Sequence, residues 1–201
     1  MTMTMKRSLV VLINALAALM FSVVCAFAAT PLETIKTQVD RSLEVLRDPA
    51  LKAESAKAEK EKKIWAILDD VFDYAELSKR TLAQNWKRFS PDQQAEFTRL
   101  FGKLLGTVYM DRIIAYKDEK VVFGKVTNLS DKTAEVQSEV RSSKPIPINY
   151  RMILENGEWK VYDVVIEGVS LVQNYRTQFR EILTNKSPED LLKTLREKTR
   201  K

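Results

Sequence analysis

The chain has 201 residues, with 33 Lys and Arg against 27 Asp and Glu, a net charge of +6, one Cys and no His. Without His, Ser-His and Cys-His catalysis and the common zinc sites are excluded, so any chemistry would rest on Asp, Glu, Lys or Tyr. Lys and Glu are interleaved, as in KAESAKAEKEKK, which is the pattern of a solvated helix face rather than of a polyanion-binding surface.

Lys6 and Arg7 precede an apolar run from Leu9 to Val24, and Ala26-Phe27-Ala28 supplies a small-x-small site. This is the layout of a cleaved secretory signal peptide over residues 1–28. The run is short for a span of ~20 residues. Cys25 lies inside it, and the preceding Val23 and Val24 do not make a lipoprotein signal. Cleavage removes Lys6 and Arg7 and no acid, leaving residues 29–201 as one domain of 173 residues with a charge of +4 and no Cys. Such a domain is held by its core, without disulfides.

The first helix opens at Thr30-Pro31-x-Glu33, a capping box with Pro at N1. Leu32, Ile35, Val39, Leu43 and Leu46 recur at helical spacing until Pro49. A second helix is expected over 51–71, charged in its first half and apolar at Ile64, Ile67, Leu68 and Val71. A short third lies in DYAELSKRTLAQNW. Ser90-Pro91-x-Gln93 opens a long helix to about residue 116, whose apolar face is wider than a surface helix needs: Phe97, Leu100, Phe101, Leu104, Leu105, Val108 and Tyr109.

Beyond Tyr116 the period changes to two. EKVVFGKVTNL is a strand, and TAEVQSEVRS alternates Ala134, Val136, Ser138 and Val140 with polar residues. PIPINYRMILE places Ile146, Ile148, Tyr150, Met152 and Leu154 on one face, with Pro147 marking an edge or bulge. Asn156-Gly157 is a hairpin turn. The fourth strand, EWKVYDVVIE, is apolar on both faces: Trp159, Val161 and Val165 on one, Tyr162, Val164 and Ile166 on the other. Gly168 ends it. Ser170 with Gln173 reads as a capping box for a helix carrying Leu171, Val172, Tyr175, Phe179, Ile182 and Leu183 inward, and Ser187-Pro188 opens a last one. Helices, a meander of about four strands, then helices define an α+β domain with a curved antiparallel sheet.

The catalytic pairing that this composition leaves open is Asp163 as base with Tyr109, Tyr150 or Tyr162 as acid, as in ketosteroid isomerase. The architectural alternative has Asp163 pairing or capping at a strand bend and Glu167 meeting the next helix N-terminus. No Gly-rich phosphate loop and no calcium-loop spacing occurs, so neither cofactor nor metal is expected. The over-wide helix face favours binding: a carrier for an apolar ligand, or a chaperone or adaptor that holds protein in the same groove.

The motif WKVYDVVIEGVSLVQNYRTQF, with SPDQQAEFTRLFGKLL and FDYAELSKRTLAQNW before it, resembles the MlaC family of periplasmic phospholipid-binding proteins, the toluene-tolerance auxiliary family. The likeness runs over about 30–193 in matching order. It implies a nuclear-transport-factor-2-like sheet wrapped by helices, with a pocket for acyl chains, and a protein that is not an enzyme. It implies carriage of phospholipid, as cargo rather than cofactor, across the periplasm between an inner-membrane ABC transporter, met through its MCE-domain subunit, and an outer-membrane lipoprotein–porin complex, maintaining outer-membrane lipid asymmetry. The residues expected to line that pocket are Phe101, Leu104, Leu105, Val108 and Tyr109 on the long helix, and Ile148, Tyr150, Met152, Val164 and Ile166 on the sheet. Val169 and Leu171 are expected at its mouth.

Overall fold

Capping chemistry sets most of the helix boundaries. In this computed structural model, which describes residues 29–116 and 118–200, α1 spans Pro31–Arg47. Its Thr30 side chain accepts from Glu33 N–H while the Glu33 carboxylate accepts from Thr30 N–H at 2.8 Å. The expected signal peptide lies outside the described residues. The helix expected over 51–71 is shorter than its sequence pattern. Two single 3₁₀ turns, Pro49–Leu51 and Glu54–Ala56, precede α2, Lys57–Val71. Neither Ala53 nor Ala56 offers a capping side chain, and the charged half buries none of Glu54–Ala56, so nothing holds those turns in one helix.

Asp73 caps α3, Tyr74–Leu82, and a 3₁₀ turn follows over Ala83–Arg88. The Ser90–Gln93 capping box opens α4, Pro91–Ile114, at the expected point. Phe97 and Phe101 are fully buried. They join Tyr175 and Phe179 in an aromatic cluster with ring centroids 5.0 to 5.6 Å apart, mostly edge-to-face.

Five antiparallel strands follow in the order β1-β2-β3-β4-β5: Lys120–Ser130, Thr133–Arg141, Ile146–Glu155, Glu158–Ile166 and Val169–Ser170. The fifth is a two-residue extension beyond the four expected, folded back by Glu167-Gly168. Both residues of that turn have positive φ (49° and 83°), as do Asn156 and Gly157 (51° and 85°) at the β3–β4 hairpin.

A bulge where Arg151 and Met152 pair with Asp163 and Val161 leaves Tyr162 as the extra residue of β4. This reverses the alternation read from the sequence. Val161 lies opposite Met152 and Val164 opposite Tyr150, so the two share the inner face with Ile166, instead of facing opposite ways. A single inserted residue moves every later side chain to the other face, which a strict period of two does not register.

Ser170 caps α5, Leu171–Asn185, by accepting from Gln173 N–H, without the reciprocal half of a capping box. The last helix, α6, Pro188–Lys198, has the complete box through Ser187 and Asp190. It is clipped to α4 by Arg196, which donates to both Glu96 carboxylate oxygens at 2.7 Å.

The α2–α4 contact is close. A Cβ on Gly106 would lie 1.8 Å from the Trp65 ring. Gly106→Ala is expected to lower stability by about 1–3 kcal/mol in denaturant unfolding because Trp65 must leave its seat; an unchanged midpoint would show that this contact is loose. The Arg196 bonds hold the Glu96 carboxyl below its ordinary 4.5. Its stabilisation is therefore present above the unfolded value and lost as pH falls through the folded one. An Arg196→Gln variant should lose stability less steeply below about pH 4.5 than the parent in an acid titration.

Candidate functional site

The sheet has two chemically different faces. In the β2–β3–β4 register, Ala134 lies opposite Met152, Val136 opposite Tyr150 and Val164, and Ser138 opposite Ile148 and Ile166. These side chains form one face. Intervening pairs, Glu135 with Arg151 and Arg151 with Asp163, form the other.

The inner face is apolar and deep. Val136, Met152 and Val161 are fully buried and Val164 is buried, whereas Ile148, Tyr150 and Ile166 are half-buried against the same core. Burial pushes the Tyr150 phenol above its ordinary value although the residue keeps accessible surface. Ser138 is polar but satisfied, donating to the Ile148 carbonyl at 2.8 Å. Over this face α1 runs along β1 and β2, while α4 packs mainly against α2, α3 and α6.

The long-helix candidates divide. Phe101 belongs to the aromatic cluster, and Leu104 and Leu105 are buried beside it. Tyr109 is half-buried, its phenol pushed up by burial, with Arg112 over its ring at 5.9 Å. Val108 is 42% exposed. At the turn, Val169 is 56% exposed while Leu171 is buried. The structure thus brings Ile148, Tyr150, Met152, Val164 and Ile166 together on one wall, and spreads the helical residues from solid core to surface.

Two wall residues escaped the sequence reading. Phe123 pairs with Ser138 and Val126 with Val136, so both reach the inner face. They are three apart because a register shift between them absorbs an extra residue. Gly124 within that stretch is the signal available in sequence.

Asp163 is 2% exposed. Its Oδ2 accepts from Ser170 Oγ at 2.6 Å and from Arg151 Nη1 at 3.2 Å, and its Oδ1 accepts from Val172 N–H at 3.0 Å. The carboxylate therefore pairs and caps at once. Glu167 does not serve the helix N-terminus; it occupies a left-handed turn position and meets Lys144 at 3.1 Å. Asp163 and Tyr150 lie on opposite faces of the sheet, which removes them as a base–acid pair. Among the described residues no group of three or more His, Cys, Asp or Glu could hold a metal ion, and no helix is long and apolar enough to cross a membrane.

The fold is thus an α+β domain, an antiparallel sheet wrapped by helices with an apolar inner face. The chain belongs to the MlaC family, whose model, described as MlaC protein, matches residues 36–197. It is 26% identical over 132 residues to toluene tolerance protein ttg2D of Pseudomonas putida, covering 64% of this chain and 61% of that protein. It is 24% identical over 135 residues to the intermembrane phospholipid transport system binding protein MlaC of Haemophilus influenzae, covering 63% of each. The chain thus spans about six-tenths of the length of these curated relatives. A phospholipid-binding protein from Ralstonia solanacearum, solved in complex with a phospholipid, shares the fold with a TM-score of 0.75 at 24% identity, over 85% of this chain and 97% of that one.

The buried carboxylate and the turn carboxylate should respond differently to neutralisation. Asp163→Asn leaves Arg151 and the α5 N-terminus under-satisfied and should cost about 2–4 kcal/mol in chemical denaturation. Glu167→Gln should change stability by less than ~0.5 kcal/mol. Equal effects would contradict the assignment.

Proposed function

We propose that this protein is a periplasmic phospholipid carrier that holds acyl chains between the inner face of the sheet and the helices. The observation that carries the reading is the wall of half-buried Ile148, Tyr150 and Ile166 on the apolar face of the sheet, in a chain of the MlaC family. Tyr109, Val164 and Leu171 complete the lining, Met152, Leu104, Leu105 and Phe101 back it, and Val108 and Val169 stand at its rim. The Ralstonia solanacearum relative, solved with a phospholipid, and the intermembrane transport name of the Haemophilus influenzae relative support it.

Energetics suit that task. Each methylene withdrawn from water is worth ~0.8 kcal/mol, so a diacyl lipid of about thirty methylenes represents roughly 24 kcal/mol of avoided hydration. A carrier must match the bilayer to within a few kcal/mol, or it neither loads nor releases. An aliphatic wall with few polar groups achieves this, and needs no His, Cys, metal or cofactor. Residues 1–28 act as the export signal. The donor and acceptor are an inner-membrane ABC transporter, met through its MCE-domain subunit, and an outer-membrane lipoprotein–porin complex, with outer-membrane lipid asymmetry as the result.

Protein purified from a Gram-negative host should carry phospholipid in native mass spectrometry. Ile148→Trp, which adds bulk to that wall, should lower lipid occupancy at least tenfold without lowering the melting temperature of the lipid-free form. A parent protein that is empty and cannot be loaded from liposomes would contradict the reading, as would Ile148→Trp protein with full occupancy.

A further inference from the structure

On the opposite side of the sheet from the apolar wall lies a cleft of about 260 Å³, at the junction of α3, α5 and the outer faces of β2 to β4. Its charged lining consists of Arg80, Arg151, Arg176, Glu135 and Asp163. The acceptors there are already engaged. Asp163 receives three donors, and Glu135 receives Arg151 Nε at 2.9 Å and Asn149 Nδ2 at 3.3 Å. The donors are not. A guanidinium carries five N–H groups. Arg176 directs Nε and Nη2 to the Arg80 carbonyl, at 3.1 and 2.7 Å, and has no carboxylate partner among the described residues. Arg80 gives Nε to Glu76 at 2.7 Å and lies 4.0 Å over the Tyr162 ring. Both guanidinium groups are thus held in place by contacts that leave their Nη1 groups unspent. A cleft with engaged acceptors and unspent guanidinium donors recognises an oxyanion.

Arg80 is paired with Glu76, and Arg151 with Glu135 and Asp163, so Arg176 is the guanidinium of the cleft without a carboxylate partner among the described residues, and a monoanion fits better than a dianion. The phosphodiester of a lipid whose chains occupy the inner wall cannot reach the cleft, because the sheet stands between. Leu129 at the cleft margin is 51% exposed, an apolar contact that a small free anion would leave unused. Arg side chains beside an exposed apolar residue suit a protein partner, which can meet both at once.

We propose that this cleft is a docking site for an acidic side chain of a partner protein, with Arg80 and Arg176 as the carboxylate receptors and Leu129 as the apolar contact. The site rests on the carrier reading, and the test separates the two. Gln173→Glu places a carboxylate in the cleft without changing side-chain size, and an acid in the first turn of α5 suits the helix N-terminus, so the fold is not weakened. Leu129→Glu adds an acid at the exposed margin. Both variants should carry as much phospholipid as the parent, and transfer it to protein-free liposomes at the parent rate. Transfer to native membrane vesicles should fall at least tenfold, and sodium acetate should inhibit the parent there more than sodium chloride of equal ionic strength. Unchanged transfer to native vesicles, or an equal loss with protein-free liposomes, would overturn the docking site. A parent protein without lipid would instead overturn the carrier reading.

Discussion

Asp163 is the constraint on which the site depends. One buried carboxylate ties β3 to β4 through Arg151 and joins β4 to α5 through Ser170 and the Val172 amide. A buried charge is tolerable only when it is so fully engaged. Its three donors come from a neighbouring strand, a capping side chain and a helix N-terminus. The bulge at Tyr162 and the start of α5 are thereby fixed relative to each other. With polar atoms gathered on the outer face, the inner face is left to Val161, Val164 and Ile166, which have no polar demands to satisfy. The apolar face and the charged cleft are two sides of the same arrangement.

Two kinds of packing operate around that node. The aromatic cluster of Phe97, Phe101, Tyr175 and Phe179 is dense and locks α4 to α5. Toward the sheet, half-buried Ile148, Tyr150 and Ile166 are enclosed on fewer sides. The proposed carrier would use this division: one part of the core carries stability, and another leaves apolar surface for a ligand to cover.

Much of this was legible in the sequence because its signals are local. The Thr30, Ser90 and Ser187 caps, the Asn156-Gly157 turn and the alternation through β2 and β3 depend on neighbours a few residues away, and each appears where expected. The strand phase of β4 and the inward placement of Phe123 and Val126 were not legible, since both follow from bulges that exist only once a partner strand is aligned. The role of Asp163 was half legible. Its presence beside a turn suggested pairing or capping, but that it does both, and that Glu167 does neither for the helix, depends on the tertiary approach of Arg151. The cleft was hidden for the same reason: Arg80, Arg151 and Arg176 are far apart in the chain, and which of their donors remain unspent is a property of the folded molecule.

The central claim is that acyl chains lie on the inner face of the sheet. Nuclear Overhauser contacts between a ¹³C-labelled diacyl phospholipid and the protein test this most directly. The account predicts cross-peaks from chain methylenes to Tyr150, Ile148 and Ile166, and none to Arg151 or Tyr162. Cross-peaks to the outer-face residues, or to none of the inner wall, would contradict it.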